Sequence, residues 1–438
     1  MRLRKTILTS IISILFTPLA SANSITEIYQ TALEQDPSIR QAQANFMALK
    51  QANPLAKASL LPQLIASISH NQNRIQDSTT QTASIDLNQS IYKHSNWLNL
   101  SKAEQQIQQG QFTLTLAEFD LTNRVVSAYL DLLQAQDTLT FVQAEKQAIE
   151  RELEKTKQQL KVGISAITNL HEAQAQFDAA VAQEITAMNA IELAKEALRE
   201  ITGQYYQTVD PLNTENFTPP ELSPAKVDDW LTIAEQNNPN LLGQKIAVAI
   251  AKKEIDIASA GHLPEANLRA GYSWSDNNSP NTNTDLDVDR IHSQPKGLNW
   301  TVSVSVPIYS GGATSAQSRQ ARHQYVSASQ ALEKSQRSVI KQVRSAYNDV
   351  KATLARIKAL KQSVVSAESA LNATKAGFNV GTRTIVDVLN STKVVYDAKR
   401  NLASARYQYI KAIVGLKSAA GNLSADDIQA ISRLGAAS

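Results

Sequence analysis

Few side chains in this 438-residue chain are placed to do chemistry, and the best set lies at one helix turn. Thr384-Ile385-Val386-Asp387 puts a hydroxyl three residues ahead of a carboxylate, at the head of an apolar run. That spacing caps a helix: the hydroxyl takes an early backbone N–H, and the carboxylate reaches back while favouring the positive end of the dipole. Arg383 precedes the pair, so the same residues also make a charged surface that attracts ions. The two roles are compatible, since a cap concerns backbone and a charged surface concerns direction. Nothing else forms a reaction centre. The six histidines at 70, 94, 171, 262, 292 and 323 are dispersed without ligand spacing. Asp285, Asp287 and Asp289 alternate as in a calcium loop, but the glycine at its sixth position and the closing glutamate are missing. A solvated loop is the better reading there. Cysteine is absent, which removes disulfides, thiolate metal sites, a thiol nucleophile and a lipid-bearing cysteine. No nucleotide-binding loop occurs. The expectation is a protein without catalysis, cofactor or metal.

Two long rods must position that turn. From Lys93 to Leu160 no proline interrupts, and Leu100, Ile107, Leu114, Leu121, Ala128, Ala135, Val142 and Ile149 stand seven apart. A second row follows four residues behind as Val125, Leu132, Leu139, Leu153 and Leu160, with Lys146 its one break. Such heptads predict coiled-coil packing, and about 68 residues at 1.5 Å each give a rod of ~100 Å. Tyr325, Leu332, Val339, Ala346, Leu360 and Ala367 keep the same register in a second rod, with Thr353 and Thr374 polar. Val162-Gly163 and Val380-Gly381 break the rods, and return helices run to Gly203 and Gly421. Shorter helices are expected near residues 24–59 and 226–260. Stacked end to end with the return helices, they match one rod in length.

The recurrence is a duplication. Val125, Ala128, Tyr129, Val162, Gly163, Ile167, Leu198 and Gly203 return 218 residues later, whereas Ala32, Pro37, Lys50, Leu61 and Pro62 return after 202. The difference marks an insertion between about residues 273 and 297. A unit that leaves an apolar face bare must stack on copies of itself.

Four segments alternate apolar and polar residues: 64–69, 84–91, 266–274 and 298–306. Leu298, Trp300, Val302, Val304 and Val306 against Asn299, Thr301, Ser303 and Ser305 is the clearest. Strands of this length with one apolar face suit a barrel in lipid, although a half-buried soluble sheet has the same pattern. Tyr272, Trp274, Trp300 and the polar hairpin loops favour the barrel. Four strands are too few to close one, and open edges in lipid leave unpaired backbone groups at several kcal/mol each. Several copies must therefore share one bore.

Residues 1–22 read as a secretory leader: Arg2, Arg4 and Lys5, an apolar stretch from Ile7 to Leu19, then Ala20-Ser21-Ala22. The stretch is shorter than the ~20 residues a spanning anchor needs. With 43 basic and 40 acidic residues in all, those three basic groups account for the net charge of +3. The remaining chain is neutral and gives no sign of nucleic-acid binding. The division expected is leader 1–22, first unit 23–203, linker 204–225, second unit 226–421 and tail 422–438.

The segment Ala376 to Leu389, reading AGFNVGTRTIVDVL, resembles the inner hairpin turn of the TolC family of outer-membrane efflux and secretion channels. Val162-Gly163 through Ile167-Thr168, Gly261 to Pro264, and Pro307 to Gly312 resemble it too, in order along almost the whole chain. The resemblance implies a mainly α fold with a small β part: a homotrimer whose 12-stranded outer-membrane barrel continues into a 12-helix periplasmic tunnel. It implies a Gram-negative outer membrane, and partners in a periplasmic adaptor with an RND- or ABC-type inner-membrane transporter. Drug efflux and type I protein secretion are the implied functions. The competing architecture is a soluble periplasmic coiled-coil adaptor, which lacks paired lipid-facing strands and would need a lipoyl-like β domain.

By that resemblance the tunnel closes where inner helices converge, with Asp387 facing the pore. Asn390 stands where a second pore aspartate is expected, Asn169 where an acidic partner for Arg383 is expected, and Phe378 where a tyrosine is expected. Arg383 would hold through Thr168, Asn169 or a carbonyl, a weaker latch than a charge-assisted one. Val162, Gly163, Val380 and Gly381 are the expected adaptor-contact turns.

Overall fold

The computed structural model describes residues 23–212, 219, 222–280 and 290–436. The expected leader and the Asp285, Asp287 and Asp289 series lie outside the described residues. The first half runs through helices α1 (Ile25–Gln35), α2 (Pro37–Lys50) and α3 (Ala52–Ala58), then strands β1 (Gln63–Asn73) and β2 (Ser78–Tyr92). The rod α4 (His94–Lys161) and return helix α5 (Ile167–Thr202) complete it. The second half follows with α6 (Val227–Asn237), α7 (Pro239–Ser259), β3 (Glu265–Pro280), β4 (Arg290–Ser293) and β5 (Lys296–Ser305). Its rod is α8 (Ala313–Asn379), its return helix α9 (Ile385–Ala420), and α10 (Ala425–Ala436) ends the described chain.

The rods match expectation at 68 and 67 residues, and the return helices at 36 each. Leu121, Val125, Ala128, Leu132, Val142, Ile149 and Leu153 are buried along the heptad rows of α4, while Leu100 and Ile107 near the strands are half-buried. Packed along α4 are α2 and α3 beside its strand-proximal half and α5 beside its distal half. On the other side α7 and α9 do the same, and α8 lies beyond them. The short helices are not single pieces, however. Each breaks at a proline, Pro37 and Pro239, which lacks an N–H and clashes with the preceding turn's carbonyl. Asp36 and Asn238 cap the new helices, Asp36 accepting from Ser38 N and Ile39 N, and Asn238 from Leu241 N.

The main core lies at the equator, where Tyr129, Trp230, Tyr407, Tyr409, Leu198 and Leu416 are buried together. Tyr129 donates to the Asp210 carbonyl at 2.7 Å, and its repeat counterpart Tyr347 to the Ala225 carbonyl at 2.6 Å. Each rod thereby grips one end of the connecting segment. Gly421 ends α9 at φ 73°, and a Cβ there would lie 2.5 Å from the Asn237 carbonyl oxygen. Only glycine permits the junction of α6 and α7 to approach so closely.

The strands form one antiparallel sheet in the order β1-β2-β3, with β4 and β5 both on the far side of β3. Its register sorts the two faces. Leu64, Leu87, Ala270 and Trp300 align in one row, with Ala66, Ile85, Tyr272 and Leu298 in the next. Between them, on the opposite face, run Ile65, Asp86, Gly271 and Asn299. From Ala266 to Trp274 the apolar face measures about 27 Å along the strand, close to the height of an outer-membrane apolar band. Trp300 remains 70 % exposed and Ile68 89 %, with no protein layer over them in the single chain. Strands run further than their alternation foretold: β2 has 15 residues and β3 has 16. The stretches joining the alternating segments are in part paired backbone, as in Asn71 opposite Thr80 and Asn277 opposite Ser293. Ladder hydrogen bonds need no side-chain alternation, so polar residues continue the hairpins beyond the apolar band. Among the described residues no helix is long and apolar enough to cross a membrane.

Candidate gate at the helix tips

Both rods end in the same turn. Gly163 and Gly381 take φ of 76° and 79°, where a Cβ is disfavoured. Ile164 N donates to the Gln159 carbonyl at 2.8 Å and Gly163 N to that of Leu160 at 3.0 Å. Thr382 N and Gly381 N repeat the pattern to Gly377 and Phe378 at 2.9 and 3.0 Å. These are Schellman motifs, closing the rods without a long loop. Val162 and Val380 project at the tips, 69 % and 76 % exposed.

The helices that follow differ. Ala166 begins α5 with no side-chain cap. At α9 the Thr384 hydroxyl accepts from Asp387 N at 3.2 Å, and Asp387 Oδ2 accepts from Thr384 N at 2.9 Å and from the Thr384 hydroxyl at 3.0 Å. The capping box anticipated for these residues is therefore complete. The Thr384 backbone N–H, then its hydroxyl, and more weakly the Arg383 charge hold the Asp387 carboxyl below the usual carboxylate range. Asp387 stays ionised as its cap requires.

Arg383 is exposed, and its stem crosses Gly377, where a Cβ would sit 2.8 Å from Arg383 Cγ. Within the protomer it donates no hydrogen bond to a described residue. Asn169 instead gives its amide to Ser165 Oγ at 3.2 Å, and Thr168 and Asn390 are exposed. Arg383 and Asp387 thus share one turn, whereas Thr168 and Asn169 do not join them in a single chain. Phe378 packs beside a tip cluster of Ile149, Leu153, Ala173, Ile385, Val388 and Leu389.

Polar contacts between the hairpins carried no sequence signal. Lys155 Nζ lies 5.0 Å from the Phe378 ring centre and 3.3 Å from Asn379 Oδ1. Arg400 bonds the buried Glu145 at 2.7 Å and also pairs with Asp397. Tyr407 donates to Asp137 at 2.7 Å, where burial pushes the Asp137 carboxyl up against the opposing pull of that bond. Glu145 lies outside the two apolar heptad rows, and its partner is on the other repeat. Among the described residues no cluster of side chains is set to bind a metal.

A half-buried rod assembly carrying an open, one-face-apolar sheet defines an outer-membrane channel subunit. The family model described as outer membrane efflux protein matches residues 28–204 and 230–422, and the chain belongs to that family. Outer membrane protein TolC of Vibrio cholerae is 40 % identical over 411 residues, covering 93 % of this chain and 92 % of that protein. The alkaline protease secretion protein AprF of Pseudomonas aeruginosa is 30 % identical, covering 94 % and 87 %. Among solved structures, the outer membrane protein VceC of Vibrio cholerae superposes with a TM-score of 0.73 at 18 % identity, covering 91 % of this chain and 96 % of that one. The protein is an outer-membrane exit channel of the efflux type.

Proposed function

We propose that three copies of this chain form one duct across the outer membrane, gated at the helix tips and energised by partners in the inner membrane. The observation that carries this reading is the sheet: one face is apolar, and the outer edges of β1 and β5 are unpaired among the described residues. The helical layer has matching lateral edges. Ile185, Met188 and Leu193 are exposed on α5, and Val326, Ile340, Leu354 and Val365 on α8, at opposite sides of the protomer. Joining the β1 edge of one copy to the β5 edge of the next is a head-to-tail contact, which closes as a ring. Three copies give twelve strands and a continuous helical wall.

The residue division of leader 1–22, units 23–203 and 226–421, linker 204–225 and tail 422–438 follows from the same reading. Asp387 then forms a three-fold acidic ring, and Arg383 reaches Thr168 or Asn169 on a neighbouring copy, which accounts for its making no side-chain hydrogen bond among the described residues of one chain. Exposed Val162, Gly163, Val380 and Gly381 suit a periplasmic adaptor that links the duct to an RND- or ABC-type transporter. Relatives named for protease secretion extend the reading to type I export.

The test uses the full-length protein in outer-membrane extracts and planar bilayers. A heat-resistant trimer with a cation-preferring conductance is expected, and Asp387→Ala should remove most of the preference. A monomer without ion current refutes the duct; unchanged selectivity removes Asp387 from the bore.

A further inference from the structure

We infer that Lys155 is the positioning residue that pins the end of α8 to the first hairpin when the tips are closed. This rests on the gate reading above. Its ammonium addresses two consecutive residues of the last turn of α8, the Phe378 ring at 5.0 Å and the Asn379 side-chain oxygen at 3.3 Å. Between α4 and α8 lies the start of α9, so the lysine reaches past the capped Thr384–Asp387 turn to hold the rod beyond it. Phe378 is suited to the contact. It is half-buried beside Ile149, Leu153 and Leu389, which fixes the ring while the lysine charge rests above it.

Neighbouring charges leave Lys155 free for this work. Glu154, the adjacent carboxylate, is taken by Lys157 at 2.7 Å, and Lys155 forms no ion pair among the described residues. Ring and amide are both neutral, so the pin needs no carboxylate. A phenylalanine loses nothing here, because the attraction comes from the face of the ring, not from a hydroxyl. Asn169, turned to Ser165, takes no part. The chain thus replaces a missing acid–base latch by a cation on an aromatic face.

A cation–π contact at an exposed site is worth a factor of roughly 2 to 5 in an equilibrium, so three around a ring multiply to about tenfold or more. Closed-state conductance of the purified full-length channel in planar bilayers reads this directly. Lys155→Met, which keeps the stem and removes the charge, should raise open occupancy about tenfold. Lys155→Arg should stay near the parent, and Phe378→Leu, which leaves the Asn379 contact in place, should open in the same direction by no more than Lys155→Met. The double variant should open no further than Lys155→Met alone, and the temperature of trimer dissociation should not change. An unaltered closed state in Lys155→Met, or additive effects in the double variant, overturns the pin. If Asp387→Ala still changes selectivity in that case, the gate reading survives and only Lys155 is excluded.

Discussion

Replacing Asp36 by asparagine isolates one charge at the equator. Asp36 is 2 % exposed, caps α2 through Ser38 N and Ile39 N at 2.9 Å each, and accepts from Arg124 at 2.9 and 3.2 Å. Burial alone would raise its pKa. The Arg124 hydrogen bond, then those of Ser38 and Ile39, outweigh burial and bring it from 3.8 to about 2. A shift of nearly two units corresponds to roughly 2 kcal/mol of stability. The folded pKa is depressed, so this contribution is complete above the unfolded value near 4 and fades as pH falls through 2. Asparagine keeps the cap, as Asn238 does at the matching position of the second half. Asp36→Asn should therefore lose roughly 2 kcal/mol at neutral pH and progressively less toward about pH 2. Urea unfolding of the detergent-solubilised protein, followed by helical circular dichroism at about pH 7, 5 and 3, measures the gap. An equal gap at all three, or none at neutral pH, refutes the assignment to ionic pairing.

Arg400→Ala strands the buried Glu145 carboxylate and should cost about 3–5 kcal/mol in the same assay, whereas replacing both with leucine and methionine should recover most of it. Gly421→Ala meets backbone at 2.5 Å and a positive φ, so it should lower stability far more than Gly163→Ala, where the φ is alike but no atom lies within 4 Å. Tyr129→Phe and Tyr347→Phe should each lose about 1–2 kcal/mol, because each leaves a linker carbonyl without its donor. Trp300→Arg on the apolar face should reduce insertion into vesicles by about 2–4 kcal/mol if its row lies at mid-membrane.

The rods and the duplication were legible because periodicity is local: heptads such as Leu121, Ala128, Val142 and Ile149 record which side of a helix is buried. Faces of the sheet were legible for the same reason, and Leu64, Leu87, Ala270 and Trp300 do share one row. Pro37 and Pro239 were visible as letters, yet each was read inside one helix because Asp36 and Asn238 cap a restart so closely that the apolar pattern barely shifts. Strand ends beyond the apolar band were not legible, since Asn71 and Thr80 pair through backbone alone. Of the gate, the Thr384–Asp387 cap was local and readable. The contacts of Lys155 with Asn379 and of Glu145 with Arg400 join residues more than two hundred positions apart, and no spacing rule relates them.

The two rods also differ in how firmly a single chain holds them. Fifteen residues of α4 are buried against nine of α8, although the rods are nearly equal in length. Distal to the equatorial core the contrast persists: Val142, Glu145, Ile149, Leu153 and Thr156 on α4 answer to Ile357 and Ala367 on α8. Elements that move are drawn from those with few buried contacts, because less free energy is forfeited when they separate. By that measure α8 is the rod less firmly held, whereas its return helix α9 is tied to the first hairpin by apolar contacts of Ile385, Val388 and Leu389 with Ile149 and Leu153 as well as by polar ones. Duplication supplied two alike hairpins, and side-chain differences at Ala166 against Thr384 and at the Lys155–Phe378 contact set their tips apart.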